Sequence, residues 1–117
     1  MSDARPSPIP RQIIVEIAKL RDYCLSPSHP HGRHKARVFR SRLGLAAADA
    51  ETLRQALLRA ARSNPDNFVH RKTDQHGGGQ YVFDFQMSTA VGTAMIRSIW
   101  IVPIGHDVLR FITCYVV

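Results

Sequence analysis

Thr93-Ala94-Met95-Ile96-Arg97-Ser98-Ile99-Trp100-Ile101-Val102 and, after a short break, Leu109-Arg110-Phe111-Ile112-Thr113-Cys114-Tyr115-Val116-Val117 decide the fold of this chain. β-branched and aromatic residues fill both runs, which is the composition of strands, and Gly105-His106-Asp107 between them reads as a turn. Ahead of them Tyr81, Phe83 and Phe85 alternate at period two with Val82, Asp84 and Gln86, and residues 88–92 supply another turn. Antiparallel strands are therefore expected over about 80–86, 93–102 and 108–117. A fourth short strand near 68–72 fits the pattern ahead of Gly77-Gly78-Gly79.

Upstream the period is helical. Ile13, Ile14, Ile17, Leu20 and Cys24 recur at steps that suggest an amphipathic helix over about 10–24. Residues 26–32, with two prolines and a glycine, form a loop. Ala36, Phe39 and Leu43 then mark the buried side of a second helix, about 34–43, and Gly44 stands where a helix end calls for positive φ. Leu53, Ala56, Leu57, Ala60 and Ala61 mark a third, about 49–63, with Asp49 as the expected N-cap and Asn64-Pro65-Asp66 as its end. The sum is an α+β domain, with N-terminal helices packed on one face of a three- to four-stranded antiparallel sheet.

At 117 residues, 44% of them hydrophobic and 21% charged, the chain has the size and composition of one globular domain with a flexible segment over residues 1–9. It contains neither an apolar run of membrane-spanning length nor an apolar signal-peptide segment at its start, so no membrane partner and a cytoplasmic location are expected. Cys24 and Cys114 fit no disulfide framework and no zinc ribbon, and are read as reduced and structural. His29, His31 and His34 beside Cys24 match no common ligand spacing, so no metal is assigned. Gly77-Gly78-Gly79 precedes a strand and lacks a following Lys-Ser/Thr, which makes it a turn and not a phosphate cradle.

The charge is more telling. Sixteen Lys and Arg against nine Asp and Glu give +7, and the excess is uneven: residues 1–72 carry +8 and residues 73–117 carry −1. Thirteen of the sixteen cations are Arg, whose planar fork binds phosphate in a two-pronged way. A polyanionic partner follows, nucleic acid first.

A sheet covered on one side buries alternate residues. Placing Ile99, Ile101, Ile112, Cys114, Val116 and the aromatics Tyr81, Phe83 and Phe85 against the helices leaves Asp84, Gln86, Ser98, Trp100, Thr113 and Tyr115 on the other face. That polar and aromatic set reads as a binding surface, with a second small cluster covered by Trp100 and Tyr115 as the alternative.

His34-Lys35-Ala36-Arg37-Val38-Phe39, then the helix from Asp49, then Ser98-Ile99-Trp100-Ile101-Val102-Pro103, is an order of parts with a known counterpart. It resembles the metal-independent ribonuclease fold that groups barnase, bacterial EndoU-like toxins, colicin D and the RelE toxins. The tRNA-cleaving domain of colicin D is the nearest, with a Lys-His-Ala-x-x-Phe motif before a helix and Ser-x-Trp on a later strand. In a gapless match the family's catalytic histidine falls on Lys35 and its lysine on His34, so the order of the pair is exchanged. The chain is also similar to small bacterial domains that carry Gly-Arg-His-Lys-Ala, an Ile-Trp-Ile-Val strand and a terminal Thr-Cys-Tyr in toxin–antitoxin or polymorphic-toxin settings. The resemblance implies a toxin-like endoribonuclease that needs no cofactor, acts on RNA with tRNA among the candidate substrates, and is held by a cognate antitoxin or immunity protein. A non-catalytic nucleic-acid- or partner-binding module of the same kind of system is the alternative.

Such cleavage needs a base for the 2′-hydroxyl proton, an acid for the leaving 5′-oxygen and cations for the charge building on phosphate. Histidine is the side chain that exchanges protons near neutral pH, which points to His34, with Lys35, Ser98, Thr113 and Tyr115 completing the candidate catalytic set. Arg33, Arg37 and Arg97 are candidate phosphate contacts, and Trp100 is a candidate base-stacking platform. Arg97 fits a strand-edge cation equally well.

Overall fold

The structure is a computed structural model and describes residues 9–117. It is α+β, with the helices preceding a five-stranded mixed sheet in all but one short strand. In chain order the elements are β1 (Ile13–Ile14), α1 (Ile17–Lys19) running into a π-helical turn (Leu20–Cys24), α2 (Arg33–Leu43), α3 (Ala50–Ser63), β2 (Val69–Thr73), β3 (Gly79–Ser88), β4 (Thr93–Val102) and β5 (Leu109–Val116). The sheet order is β1-β5-β4-β3-β2, antiparallel except for the β1–β5 pair. Among the described residues no helix is long and apolar enough to cross a membrane. Except for Ile9, the segment expected to be flexible lies outside the described residues; Ile9 itself is buried in the core.

The expected helix over 10–24 is replaced in its first half by a strand. Ile13-Ile14-Val15 is β-branched throughout, which disfavours helix, and Ile13 and Ile14 pair in parallel with Leu109 and Arg110. Only residues 17–24 coil, and they end in a π turn that buries Leu20 and Cys24. The other two helices stand where the 3.6-residue period puts them. Gly44 closes α2 at φ +70°, and an added Cβ there would strike the Val91 side chain at 2.5 Å. Asp49 does not cap α3 with its side chain; it sits at the end of a 3-10 turn and its carboxylate accepts the Ala46 amide at 2.9 Å.

The sheet's phase is the main correction. Ser98 and Trp100, expected on the exposed face, are fully buried on the helix side. Register explains it: Ser98 lies between Phe83 and Cys114, and Trp100 between Tyr81 and Phe111, so all share the core face. Ile99, expected in that core, instead pairs with Val82 and Thr113 on the opposite side. β5 changes phase along its length because one extra residue opposes the Ile99/Trp100 step. This bulge lets Phe111 and Cys114, an odd number of residues apart, both face the helices. The buried Ser98 hydroxyl is satisfied, donating to Phe83 O at 2.6 Å and accepting the Trp100 indole N–H at 2.8 Å. The core on this face is built of Phe39, Leu53, Leu57, Phe83, Ile96 and Phe111, among others.

Candidate functional site

β1 is so short that it covers only the first two residues of β5, which leaves the β5 edge to the helices from Phe111 onward. Lys19 donates its ammonium to Phe111 O at 3.0 Å. The π turn sets Tyr23 and Cys24 along the same edge, and α2 brings Lys35 to it. Lys35 is two helical positions from Arg37 and one from buried Ala36, on the flank of α2 that faces β5.

Lys35 Nζ donates to Thr113 Oγ1 at 3.2 Å and to Tyr23 Oη at 3.3 Å. It also lies 4.8 Å from the centre of the Tyr23 ring and 5.5 Å from that of Tyr115. An ammonium has three N–H donors; two are engaged here, and among the described residues the third has no hydrogen-bond partner. The aromatic faces favour the cation at a half-buried position. Beside it His34, Lys35, Val38, Tyr115 and Val116 line an open cleft of about 290 Å³. One register step across the sheet, Arg97 opposes Tyr115 on one side and Asp84 on the other. Asp84 accepts a two-pronged pair of hydrogen bonds from Arg97, both 2.9 Å. Those bonds and the carboxylate's charge hold the guanidinium more firmly protonated than usual, and the Tyr115 phenol adds to the effect.

Behind Lys35 the two cysteines meet. Cys24 Sγ lies 3.6 Å from Thr113 Oγ1, and both cysteines are free and buried. The Cys114 thiol hydrogen-bonds Cys24 and pulls its pKa down to about 6 against the opposing effect of burial; the Thr113 hydroxyl, the Cys114 backbone and the Lys35 charge act in the same direction. Burial pushes Cys114 the other way, well above the ordinary thiol range. The two thiols are thus pushed apart, Cys24 toward the thiolate and Cys114 toward the neutral thiol.

The loop before α2 is built onto Tyr23. The His29 ring meets the Tyr23 ring edge-on at 4.6 Å, and its Nδ1 accepts the His31 and Gly32 amides, each at 3.0 Å. A Cβ on Gly32 would collide with the Tyr23 carbonyl, so only glycine permits this approach.

Of the residues singled out in the sequence, His34, Lys35, Thr113, Tyr115 and Arg97 come to one neighbourhood. Ser98 and Trp100 do not, being sealed in the core on the other face. Arg33 and Arg37 are exposed on α2 and line a different groove, with Arg40. It is Lys35 and not His34 that bonds the sheet hydroxyl. Tyr23 and Cys24 were missed. The one signal was the placement of Tyr23 beside the last apolar position of the first coil, which reads as helix surface unless the π turn is known.

No curated protein and no solved structure matches the chain. The sequence pattern of the domain of unknown function DUF6883 matches residues 8–117, nearly the whole chain, and the protein belongs to that family.

Proposed function

We propose that this protein is a toxin-like, metal-independent endoribonuclease whose site is the cleft at Lys35. The observation that carries the reading is the Lys35 ammonium, held by the Tyr23 and Thr113 hydroxyls with one donor left over, at a cleft lined by His34 and Tyr115. In the reaction a base takes the 2′-hydroxyl proton, the 2′-oxygen bonds to phosphorus, and the bond from phosphorus to the 5′-oxygen breaks as an acid protonates it. The products are a 2′,3′-cyclic phosphate and a 5′-hydroxyl. His34 is the proton-exchanging residue, Lys35 and Arg97 neutralise charge on the phosphate, and Tyr115 offers both a phenol and a ring face for an unpaired base. The net charge of +7 favours a polyanion such as RNA as the partner. An antitoxin or immunity protein as the natural restraint belongs to the same proposal, as does tRNA as a substrate.

The second reading is a binding module that contacts RNA without cutting it. One observation favours it: among the described residues, the His34 ring has no hydrogen-bond partner to fix its orientation, as a general acid or base usually has. Incubation with total tRNA and with a generic RNA in EDTA decides between them. Cleavage that leaves cyclic phosphate ends, falling at least about 100-fold in His34→Ala and also lost in Lys35→Ala, is the expected result. Salt-dependent binding of both RNAs by the folded protein with no cleavage overturns the enzyme and leaves the module.

A further inference from the structure

α2 presents a second charged surface that the Lys35 cleft does not use. Arg33, Arg37 and Arg40 recur at steps of four and three, which puts them on one side of the helix. At about 100° per residue, Lys35 is about 200° around the axis from Arg33, so the two surfaces lie on different flanks. The three arginines line a groove of about 440 Å³ whose other walls include Pro27, Ala36 and Leu45.

Two features of this groove are unusual for a solvated helix face. Among the described residues Arg33, Arg37 and Arg40 have no carboxylate within ion-pair distance, a state they share with most arginines of the chain; what sets them apart is that all three line one groove. Among the described residues no acidic side chain lines the groove, so none of them neutralises the cluster there. The walls are also largely aliphatic. No aromatic side chain lines it, which removes the stacking platform that single-stranded nucleic acid exploits, while an aliphatic wall suits leucine-sized side chains. Guanidinium forks bind carboxylates in a two-pronged way, and the i, i+4, i+7 spacing matches acidic side chains at the same spacing on a helix laid alongside.

We propose that this groove docks an acidic amphipathic helical segment of a partner protein, its carboxylates on Arg33, Arg37 and Arg40 and its apolar side chains against Pro27, Ala36 and Leu45. The inference goes beyond the ribonuclease reading and does not depend on it. A partner seated here leaves the Lys35 cleft on the other flank open.

The probe is a fluorescein-labelled synthetic helix carrying Glu along one face and Leu beside it, titrated with the full chain and followed by anisotropy. Micromolar binding is expected, weakened at least about tenfold (about 1.4 kcal/mol) in the Arg37→Glu, Arg40→Glu double variant and unchanged in His34→Ala. Both arginines are exposed, and circular dichroism checks that the double variant is folded. The same peptide with Ser for Leu should bind markedly less tightly. The proposal is overturned by absence of binding to the wild type, by equal binding to the folded double variant, or by equal affinity for the serine peptide. It is also overturned if poly(U) RNA loses more affinity than the peptide does in the double variant, because the groove is then a nucleic-acid surface. RNA cleavage is read separately on the His34 and Lys35 variants, so failure of either reading leaves the other to be judged by itself.

Discussion

Lys35 Nζ and Thr113 Oγ1 lie 3.2 Å apart although 78 positions separate them in the chain, and the same hydroxyl lies 3.6 Å from Cys24 Sγ. Thr113 thus joins the helical layer to the outer strand at the candidate site. Replacing it with valine keeps the shape but removes the oxygen that accepts from the ammonium. Hydrogen bonds to charged groups are worth ~1.5–3 kcal/mol, and part exposure here brings the expected loss to about 1–2 kcal/mol. Thr113→Val is expected to lower the unfolding free energy measured in urea by that amount and to reduce RNA cleavage more than Ser98→Ala does. Equal cleavage by Thr113→Val and wild type would mean that Lys35 needs no positioning from the sheet.

Ser98 tests the corrected phase of the sheet. Its hydroxyl donates to Phe83 O and accepts from Trp100 Nε1, with no exposure to solvent. Ser98→Ala removes the acceptor of the buried indole N–H and one donor to the Phe83 carbonyl, and the unpaired N–H alone costs about 1–3 kcal/mol. The expected phenotype is structural: a clear loss of stability and a shifted Trp100 fluorescence maximum, with cleavage per folded molecule retained. Loss of cleavage at unchanged stability would return Ser98 to the site.

Much of this fold is legible because it rests on local period. α2 and α3 announce themselves through Phe39, Leu43, Leu53 and Leu57 at helical spacing, and Gly44 marks a boundary by its need for positive φ. What the pattern conceals is non-local. Ile13 and Ile14 become a strand only because Leu109 and Arg110 offer an edge about a hundred positions later, and no window around Ile13 contains that edge. The bulge in β5 is equally hidden: with a strict period of two, Phe111 and Cys114 cannot share a face, so choosing Cys114 for the core forces Phe111 out of it. The same logic mispositions Ser98 and Trp100, since a serine in a core is credible only once both of its partners are seen. The meeting of Lys35 with Thr113 is non-local in the same way, and Tyr23 reaches Lys35 through a π turn that the sequence does not advertise.

Asp84 is expected to restrain Arg97. The pair is two-pronged at 2.9 Å, but both side chains are more than a third exposed, at 39% and 35%. Exposed pairs contribute only ~0–1 kcal/mol, so Asp84→Asn should leave the unfolding midpoint nearly unchanged. It frees the guanidinium and adds one unit of positive charge to the outer face. RNA affinity is expected to rise, with the dependence of log K on log salt steeper by up to about one unit. A flat response of affinity and salt slope, measured by filter binding at several salt concentrations, would place Arg97 outside the RNA path.

Cys24 gives the site a pH signature in stability. Its pKa of about 6 in the folded chain, set first by the Cys114 hydrogen bond and reinforced by Thr113 and Lys35, lies below the ~8.5 of a thiol in an unfolded chain. Below the folded value both states are protonated and this group contributes nothing. As pH rises through about 6 the folded state releases the proton first, so stability accrues, and it is complete above ~8.5. Cys114 acts in the opposite sense: its folded pKa is raised, so its contribution is lost as the unfolded thiol ionises above ~8.5. The wild type should therefore gain stability relative to Cys24→Ser as pH rises from about 6 to about 8.5, with the difference between the two fading below that window. Urea midpoints for both proteins across that range, under reducing conditions, measure the difference directly. If the two curves run parallel, the proton resides on Cys24 in both states, and Lys35 faces a neutral thiol instead of a thiolate.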